Sequence, residues 1–195
     1  MTYKDMLIRY LKKGLNKKLK YVSTDTTFIK NKYGRQLIGC NRYYYKKKGN
    51  KLSLVVDSKG FILDMNVYRG GKNDGKILEA HLDSNMLIDN SPYKEHKKYF
   101  LADAGYDSKA IHENLRNLEY IPLIEQNKRG IKNKQLIRRM AKSEYKIYCK
   151  RVKVENVICR LKQLRRIEHR YDGLIDVYTN YVYLGAIYFM LNVIH

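Results

Sequence analysis

Cysteine, proline and tryptophan are scarce in this sequence, and so are acidic residues. The chain has 195 residues, with no tryptophan, two prolines and three cysteines. The cysteines, Cys40, Cys149 and Cys159, are odd in number and show no Cys-x2-Cys spacing. A disulfide framework or a structural zinc site is therefore not expected, and a reducing compartment fits this cysteine usage.

Long uninterrupted hydrophobic runs are also missing. The first apolar residues are interrupted by lysine and aspartate, which is not the pattern of a secretory leader. The most apolar stretch, residues 174–194, contains Asp176, Asn180 and Asn192, and its tyrosines are spread along it. We therefore predict a buried closing helix and no membrane span. No repeat or low-complexity linker divides the chain, so its length predicts one domain with a sizeable core.

The shortage of acidic residues leaves the chain strongly basic. Lys and Arg number 40 against 19 Asp and Glu, which gives a formal net charge of +21. Such a charge favours polyanions, with nucleic acid as the first candidate partner and a membrane surface as the second. An AT-rich coding sequence would explain part of the lysine excess. It explains arginine poorly, and arginines cluster at Arg160, Arg165, Arg166 and Arg170.

The hydrophobic pattern predicts an α/β domain. Residues 20–29 are rich in β-branched and aromatic residues and predict a strand, with Asp25 near its middle. The later predicted elements are a hairpin at 51–57 and 61–68, a helix from Asn73 or Asp74, a strand at 99–102, a helix at 109–117, an edge strand at 120–124 containing Pro122, a long helix containing Glu155, and the closing helix. This order predicts a mixed central sheet, a three-strand meander followed by β-α alternation, flanked by helices. It resembles the order of ribonuclease H-like domains.

Two basic segments have more open interpretations. Residues 3–15 predict a short amphipathic helix, too short to be a DNA-binding domain by itself. We therefore divide the chain into residues 1–19, a possible remnant of a DNA-binding region, and residues 20–195, the main domain. Residues 31–50 contain three consecutive tyrosines followed by three lysines. They could contact nucleic acid by stacking and by phosphate binding, or form a solvated hairpin arm.

Three acidic residues are candidates for a catalytic site: Asp25, Asp103 and Glu155. Asp103 follows the strand at 99–102, and open α/β sheets bind ligands at such strand ends. Three neighbouring carboxylates would repel each other by about 1–4 kcal/mol per pair, and a divalent cation would remove this conflict. Mg²⁺ prefers hard oxygen ligands, and two such ions promote displacement at phosphorus. Alternatively, Asp25 could belong to a strand-end turn or a helix cap.

The stretch from Tyr148 to Lys162 contains no proline or glycine and predicts a helix. Helical spacing places Tyr148, Arg151, Glu155 and Lys162 within an arc of roughly 60°. A separate apolar stripe would be buried; it consists of Val154, Val157, Ile158, Leu161 and Leu164. The simplest alternative for Glu155 is an ordinary i,i+4 ion pair with Arg151.

These residues also carry a family resemblance. Tyr148, Arg151, Glu155 and Lys162 match the pattern Tyr-x2-Arg-x3-Glu-x6-Lys, and the segments STDTTFIK and LADAGYDS resemble two further acid-bearing motifs. From about Val22 onward, the sequence resembles the DDE transposases of bacterial-type insertion sequences, in particular the insertion-sequence 4/5 superfamily.

The resemblance implies a ribonuclease H-like catalytic domain that cleaves DNA and transfers strands at insertion-sequence ends. It implies that Asp25, Asp103 and Glu155 bind Mg²⁺ or Mn²⁺, and that Tyr148, Arg151 and Lys162 hold double-stranded DNA of the element ends. Pairing of two ends makes a homodimer plausible. Relatives usually carry a sizeable DNA-binding region before the first acidic strand, and here only about twenty residues precede it.

Two other functions remain open at this point. The chain could be a truncated, non-catalytic DNA-binding transposase remnant or inhibitor, or a basic RNA-binding protein in which the acidic residues are incidental. The presence of all three acidic residues favours catalysis. A prokaryotic host would place the protein in the cytoplasm at the nucleoid, and a eukaryotic host in the nucleus; no membrane partner is expected.

Overall fold

A computed structural model describes residues 20–41, 47–84, 98–129 and 139–194. The strands are β1 (Tyr21–Asn31), β2 (Gly39–Asn41), β3 (Lys47–Asp57), β4 (Ile62–Arg69), β5 (Lys98–Ala102), β6 (Tyr120–Ile124) and β7 (His169–Arg170). The α-helices are α1 (Asp74–Ser84), α2 (Lys109–Asn117), α3 (Lys142–Tyr148), α4 (Val152–Lys162), α5 (Arg165–Glu168) and α6 (Ile175–Ile194). The predicted helix at 3–15 and the tyrosine triplet of the basic arm lie outside the described residues.

The described strands form one mixed sheet in the order β2-β3-β1-β5-β6, with β4 paired to β3 and β7 paired to β1. β1, β3 and β4 pair antiparallel, as the predicted meander requires. β5 pairs parallel with β1, and β6 pairs parallel with β5 at the edge of the sheet. The predicted strand-and-helix order and the edge position of Pro122 are therefore confirmed.

Successive residues of a strand point to opposite faces of the sheet, and here each face of β1 meets a different helical segment. On β1, the Asp25 side chain faces Arg151, which immediately precedes α4, whereas the next side chain, Thr26, bonds to Asp74 of α1. The buried core includes Val22, Leu54, Phe100, Val154 and Ile158. These contacts fix α4 against the same part of the sheet that carries Asp25.

The predicted single helix from Tyr148 to Lys162 is wrong in one respect. α3 ends at Tyr148, a 3₁₀ turn spans Cys149–Arg151, and α4 begins only at Val152. Leu164, predicted to be buried on this helix, lies beyond its end and is exposed. Helix propensity alone cannot detect this break, since no proline or glycine marks it.

The closing helix α6 is buried on one side only. Tyr178, Val182 and Met190 pack into the core, whereas Leu184 and Tyr188 remain 61% and 60% exposed. The prediction of a buried helix is therefore correct for one face. Within the described part of the chain, no helix is long and apolar enough to span a membrane.

Arg170, one of the four clustered arginines, is fully buried. Its guanidinium donates to the carbonyl oxygens of Gln36, Asp172 and Gly173 and to the side-chain oxygen of Asn50. A Cβ at Gly34 would lie only 2.6 Å from Arg170 Nε, so a glycine is needed at this close approach. Arg170 therefore joins the loop after β1 to the start of α6.

Candidate active site

Asp25 lies in the middle of β1, opposite Leu54 of β3. Its Oδ1 accepts a hydrogen bond from the backbone N–H of Thr26 at 2.8 Å. Burial raises the pKa of Asp25 from 3.8 to about 6, although the Thr26 N–H and the Arg151 guanidinium oppose this shift. The negative charges of Asp103 and Glu155 raise the same pKa further. The Asp25 carboxylate therefore lies within the electrostatic range of both other candidate acids.

Asp103 directly follows β5, at the end of a parallel pairing with β1. Ser23 is paired with Leu101 in this register, so Asp25 and Asp103 each lie two residues further along neighbouring strands. Parallel strands place such positions side by side on the same face of the sheet. The topology therefore brings the first two acids together, although they are far apart in sequence.

The backbone after Asp103 fixes the orientation of its carboxylate. Asp103 caps the 3₁₀ turn Ala104–Tyr106, and its Oδ1 accepts from the N–H of Gly105 at 2.6 Å. A Cβ at Gly105 would lie 2.9 Å from this same oxygen. Any other side chain at position 105 would displace the carboxylate, which explains the glycine in the motif.

Glu155 lies in the first turn of α4, and its partner is the arginine that precedes this helix. Arg151 Nη2 is 2.7 Å from Glu155 Oε1, and Arg151 Nη1 is 3.7 Å from Asp25 Oδ2. The i,i+4 ion pair considered as an alternative is thus present. It is also part of a larger arrangement, because one guanidinium bridges two of the three candidate acids.

Tyr148 and Lys162 occupy different environments. Tyr148 is buried, with the Arg151 guanidinium 6.0 Å from its ring centroid and the Tyr145 ring at 6.1 Å. The Tyr148 ring is therefore largely covered. It packs beside the Arg151 guanidinium and has little exposed face on which a base could stack. Lys162, the last residue of α4, donates from Nζ to Thr27 Oγ1 of β1 at 3.3 Å. Arg151, Glu155 and Lys162 thus all face β1.

A second polar network lies on the opposite face of β1. Asp74 Oδ1 accepts from Thr26 Oγ1 at 2.7 Å and from Lys51 Nζ at 2.6 Å. Tyr106 is buried near this network, and its pKa is raised well above its usual range, first by burial and then by carboxylates that include Asp25. Of these residues, sequence reasoning singled out only Asp74, as one of two residues at which a helix was expected to begin. The signals that could have found the others are the adjacency of Thr26 to Asp25 and of Tyr106 to the Asp103 turn.

Asp107 stabilises the neighbouring loop without taking part in this arrangement. Asp107 and Ser108 both precede the predicted helix at 109–117 and are both residue types that cap helices, and the Ser108 side chain is the one that caps α2. The Asp107 carboxylate instead accepts from the backbone N–H of Asn127 and bonds His112 Nε2, both at 2.9 Å. It therefore links the start of α2 to the segment that follows β6.

The donor atoms at Asp25, Asp103 and Glu155 are all carboxylate oxygens, the ligand type that Mg²⁺ and Mn²⁺ prefer. In the described ranges, no three His, Cys, Asp or Glu side chains converge closely enough to hold a metal ion. The Arg151 guanidinium is paired with both Asp25 and Glu155. A cation already lies where two of the carboxylates meet, so the site fits a positive charge.

The comparison with known families decides what this arrangement belongs to. Residues 9–190 match the sequence profile of the family described as "Transposase DDE domain". The chain belongs to this transposase family. A comparison with curated proteins gave no match.

The chain is similar to solved structures of transposases. The piggyBac transposase synaptic complex with hairpin DNA matches 86% of this chain and 45% of its own, at 14% identity and a TM-score of 0.54. The Mos1 mariner catalytic domain matches 95% of this chain and 83% of its own, at 15% identity and a TM-score of 0.45. The Mos1 mariner paired-end complex with Mn matches 96% of this chain and 58% of its own, at 15% identity and a TM-score of 0.45.

The piggyBac similarity shows the ribonuclease H-like fold. This transposase domain spans less than half the length of the piggyBac chain it matches. The chain therefore carries a transposase DDE domain with a ribonuclease H-like fold.

Proposed function

We propose that this domain cleaves DNA at the ends of an insertion sequence and transfers the freed strand to target DNA, with Asp25, Asp103 and Glu155 as its catalytic carboxylates. The observation that carries this proposal is the ion pairing of one guanidinium, that of Arg151, with both Asp25 and Glu155. The register between β1 and β5 supports the proximity of Asp25 and Asp103. The ion pairs of Arg151 support the association of Asp25 with Glu155.

The three carboxylates would hold Mg²⁺ or Mn²⁺. When bound, such ions polarise the phosphate and make an attacking oxygen more nucleophilic. The role of the chain itself is to fix the carboxylates on a rigid strand, a capped turn and a packed helix. In the reaction that the family resemblance implies, water first releases a 3′-hydroxyl at the element end, and this hydroxyl then attacks target DNA.

Basic residues beside the acids would hold the DNA backbone. Arg151 can bind a phosphate through two N–H groups, and Lys162 supplies a point charge at the end of α4. Tyr148 completes the Tyr-x2-Arg-x3-Glu-x6-Lys pattern, which favours the insertion-sequence 4/5 superfamily. The net charge of +21 provides the wider field that attracts double-stranded DNA.

The remaining parts of the proposal concern the whole protein. Residues 20–195 would form the catalytic domain, and residues 1–19 would be a remnant of a DNA-binding region. Two element ends must be brought together for transposition, so a homodimer is the simplest assembly. The domain would act where its DNA is, at the nucleoid of a prokaryote or in a nucleus.

A cleavage and strand-transfer assay tests the catalytic role. Labelled duplexes carrying the element ends, intact or pre-cut, are incubated with the protein and Mg²⁺ or Mn²⁺. We expect Glu155→Gln to abolish both products while DNA binding is retained. Glu113→Gln is the matched control, because Glu113 is an exposed carboxylate paired with Lys109 on α2. Equal DNA binding by all variants without product from any of them would instead indicate a non-catalytic transposase remnant.

A further inference from the structure

Arg151 occupies a central position among the groups that the proposed reaction needs. Its guanidinium contacts Glu155 at 2.7 Å and Asp25 at 3.7 Å, and the Tyr148 ring lies 6.0 Å from it. The side chain is half-buried, so these contacts are only partly screened by water. The same guanidinium is also the group best suited to bind a DNA phosphate.

These two roles compete with each other. The two terminal nitrogens of Arg151 are the atoms nearest Glu155 and Asp25, and a phosphate bound through two N–H groups would use the same nitrogens. A metal ion between Asp25 and Glu155 would likewise displace the positive charge that now lies there. Metal and Arg151 therefore compete for the carboxylates, and carboxylates and phosphate compete for Arg151.

We propose that Arg151 is a positioning residue that couples metal binding to DNA binding. Without metal or DNA, it pairs with Asp25 and Glu155 and offsets their negative charge. A DNA phosphate that captures Arg151 frees the carboxylates for metal, and metal that occupies the carboxylates frees Arg151 for DNA. Because such coupling is reciprocal, DNA and metal must strengthen each other's binding by the same factor. This inference rests on the proposed function of the three acids.

Metal affinity measured with and without DNA tests the coupling. Mn²⁺ is titrated into the protein and followed by calorimetry or by the EPR signal of free Mn²⁺, alone and with a short duplex. For the wild type, we expect the duplex to raise the affinity of the site by about fivefold or more, within the usual range of allosteric coupling. Background binding to the duplex and to other acidic groups is subtracted with Asp103→Asn, which removes one proposed ligand.

Arg151→Gln is the decisive variant. We expect it to bind Mn²⁺ several-fold more tightly than the wild type without DNA, and to lose most of the enhancement by the duplex. Arg151→Lys retains the charge without the two-pronged contact, so it should lie between the two, and it keeps the test valid if Arg151→Gln folds poorly. Lys150→Gln is the matched charge control, because Lys150 lies in the same 3₁₀ turn and its ammonium rests 5.5 Å from the Tyr21 ring.

The possible outcomes separate this inference from the proposed function. If wild type and Asp103→Asn bind Mn²⁺ equally, the metal site itself is absent and the proposed function fails. If the site exists but Arg151→Gln changes neither the affinity nor its enhancement by DNA, the coupling role is overturned. If Lys150→Gln has the same effect as Arg151→Gln, net charge alone accounts for the result, which also overturns it.

Discussion

Substitution of Arg170 tests whether this basic residue stabilises the fold or binds DNA. Its fully buried guanidinium donates to four oxygens at distances of 2.7–3.0 Å. A hydrogen bond to a charged group contributes roughly 1.5–3 kcal/mol, and a buried acceptor left without a donor costs about 1–3 kcal/mol. Part of this is offset because methionine avoids the cost of burying a charge.

We therefore expect Arg170→Met to lower the free energy of unfolding by about 4 kcal/mol, a large part of the 5–15 kcal/mol typical of a domain. Arg170→Lys keeps the charge but reaches fewer of the four oxygens, so about 2 kcal/mol should be lost. Urea unfolding followed by far-UV circular dichroism measures both values, since the chain has no tryptophan for fluorescence.

DNA binding by the folded variants completes the test. Under conditions where Arg170→Lys is fully folded, its DNA affinity and the salt dependence of that affinity should equal those of the wild type. The reasoning is refuted if Arg170→Lys unfolds at the same urea concentration as the wild type while its salt dependence becomes shallower by about one phosphate contact. Arg170 would then be a ligand of the DNA backbone.

Three further predictions concern other parts of the domain. Burial raises the pKa of Asp57 from 3.8 to about 6. Between these two values the folded state retains a proton that the unfolded state has lost. The free energy of unfolding should therefore fall by up to about 3 kcal/mol as the pH rises from about 4 to above 6. Asp57→Asn should flatten this dependence in denaturation series and increase stability near neutral pH; an unchanged slope would contradict it. Ser108→Ala should lower the free energy of unfolding in urea by about 1 kcal/mol, because Ser108 Oγ accepts a hydrogen bond from Ile111 N–H at the start of α2. Ser108→Gly should lower it by less. Equal losses for the two variants would argue against a capping role. Lys162→Gln should weaken DNA binding and reduce the slope of log K against log[salt] by about one. Thr27→Val should leave that slope unchanged. A wild-type slope for Lys162→Gln would show that Lys162 does not contact the DNA backbone.

Local sequence patterns were sufficient to predict most of the architecture. α2 has the predicted bounds, and β1, β5 and β6 lie within two residues of their predicted positions. These elements have strong local signals, such as β-branched runs, a serine cap and a proline at the sheet edge. The mixed sheet followed from the order of the elements, because parallel strands need helical crossovers and hairpins do not.

The environment of individual side chains was less predictable. Nothing in the sequence separates the buried Arg170 from its exposed neighbours, since burial depends on the oxygens that Gln36 and Asn50 bring from other segments. The 3₁₀ turn before α4 likewise depends on tertiary packing, which overrides helix propensity. The sequence grouped Arg151 with Glu155, but the contact between Arg151 and Asp25 requires the folded sheet.

The three carboxylates come from an early strand, a middle turn and a late helix, and this has a consequence for synthesis. A ribosome must release α4 before the third carboxylate can approach the other two. Until then, the emerging polypeptide carries only Asp25 and Asp103 of the three acids. Under the proposed function, an unfinished chain would lack one of its catalytic carboxylates, so chain order alone would prevent it from cleaving nearby DNA.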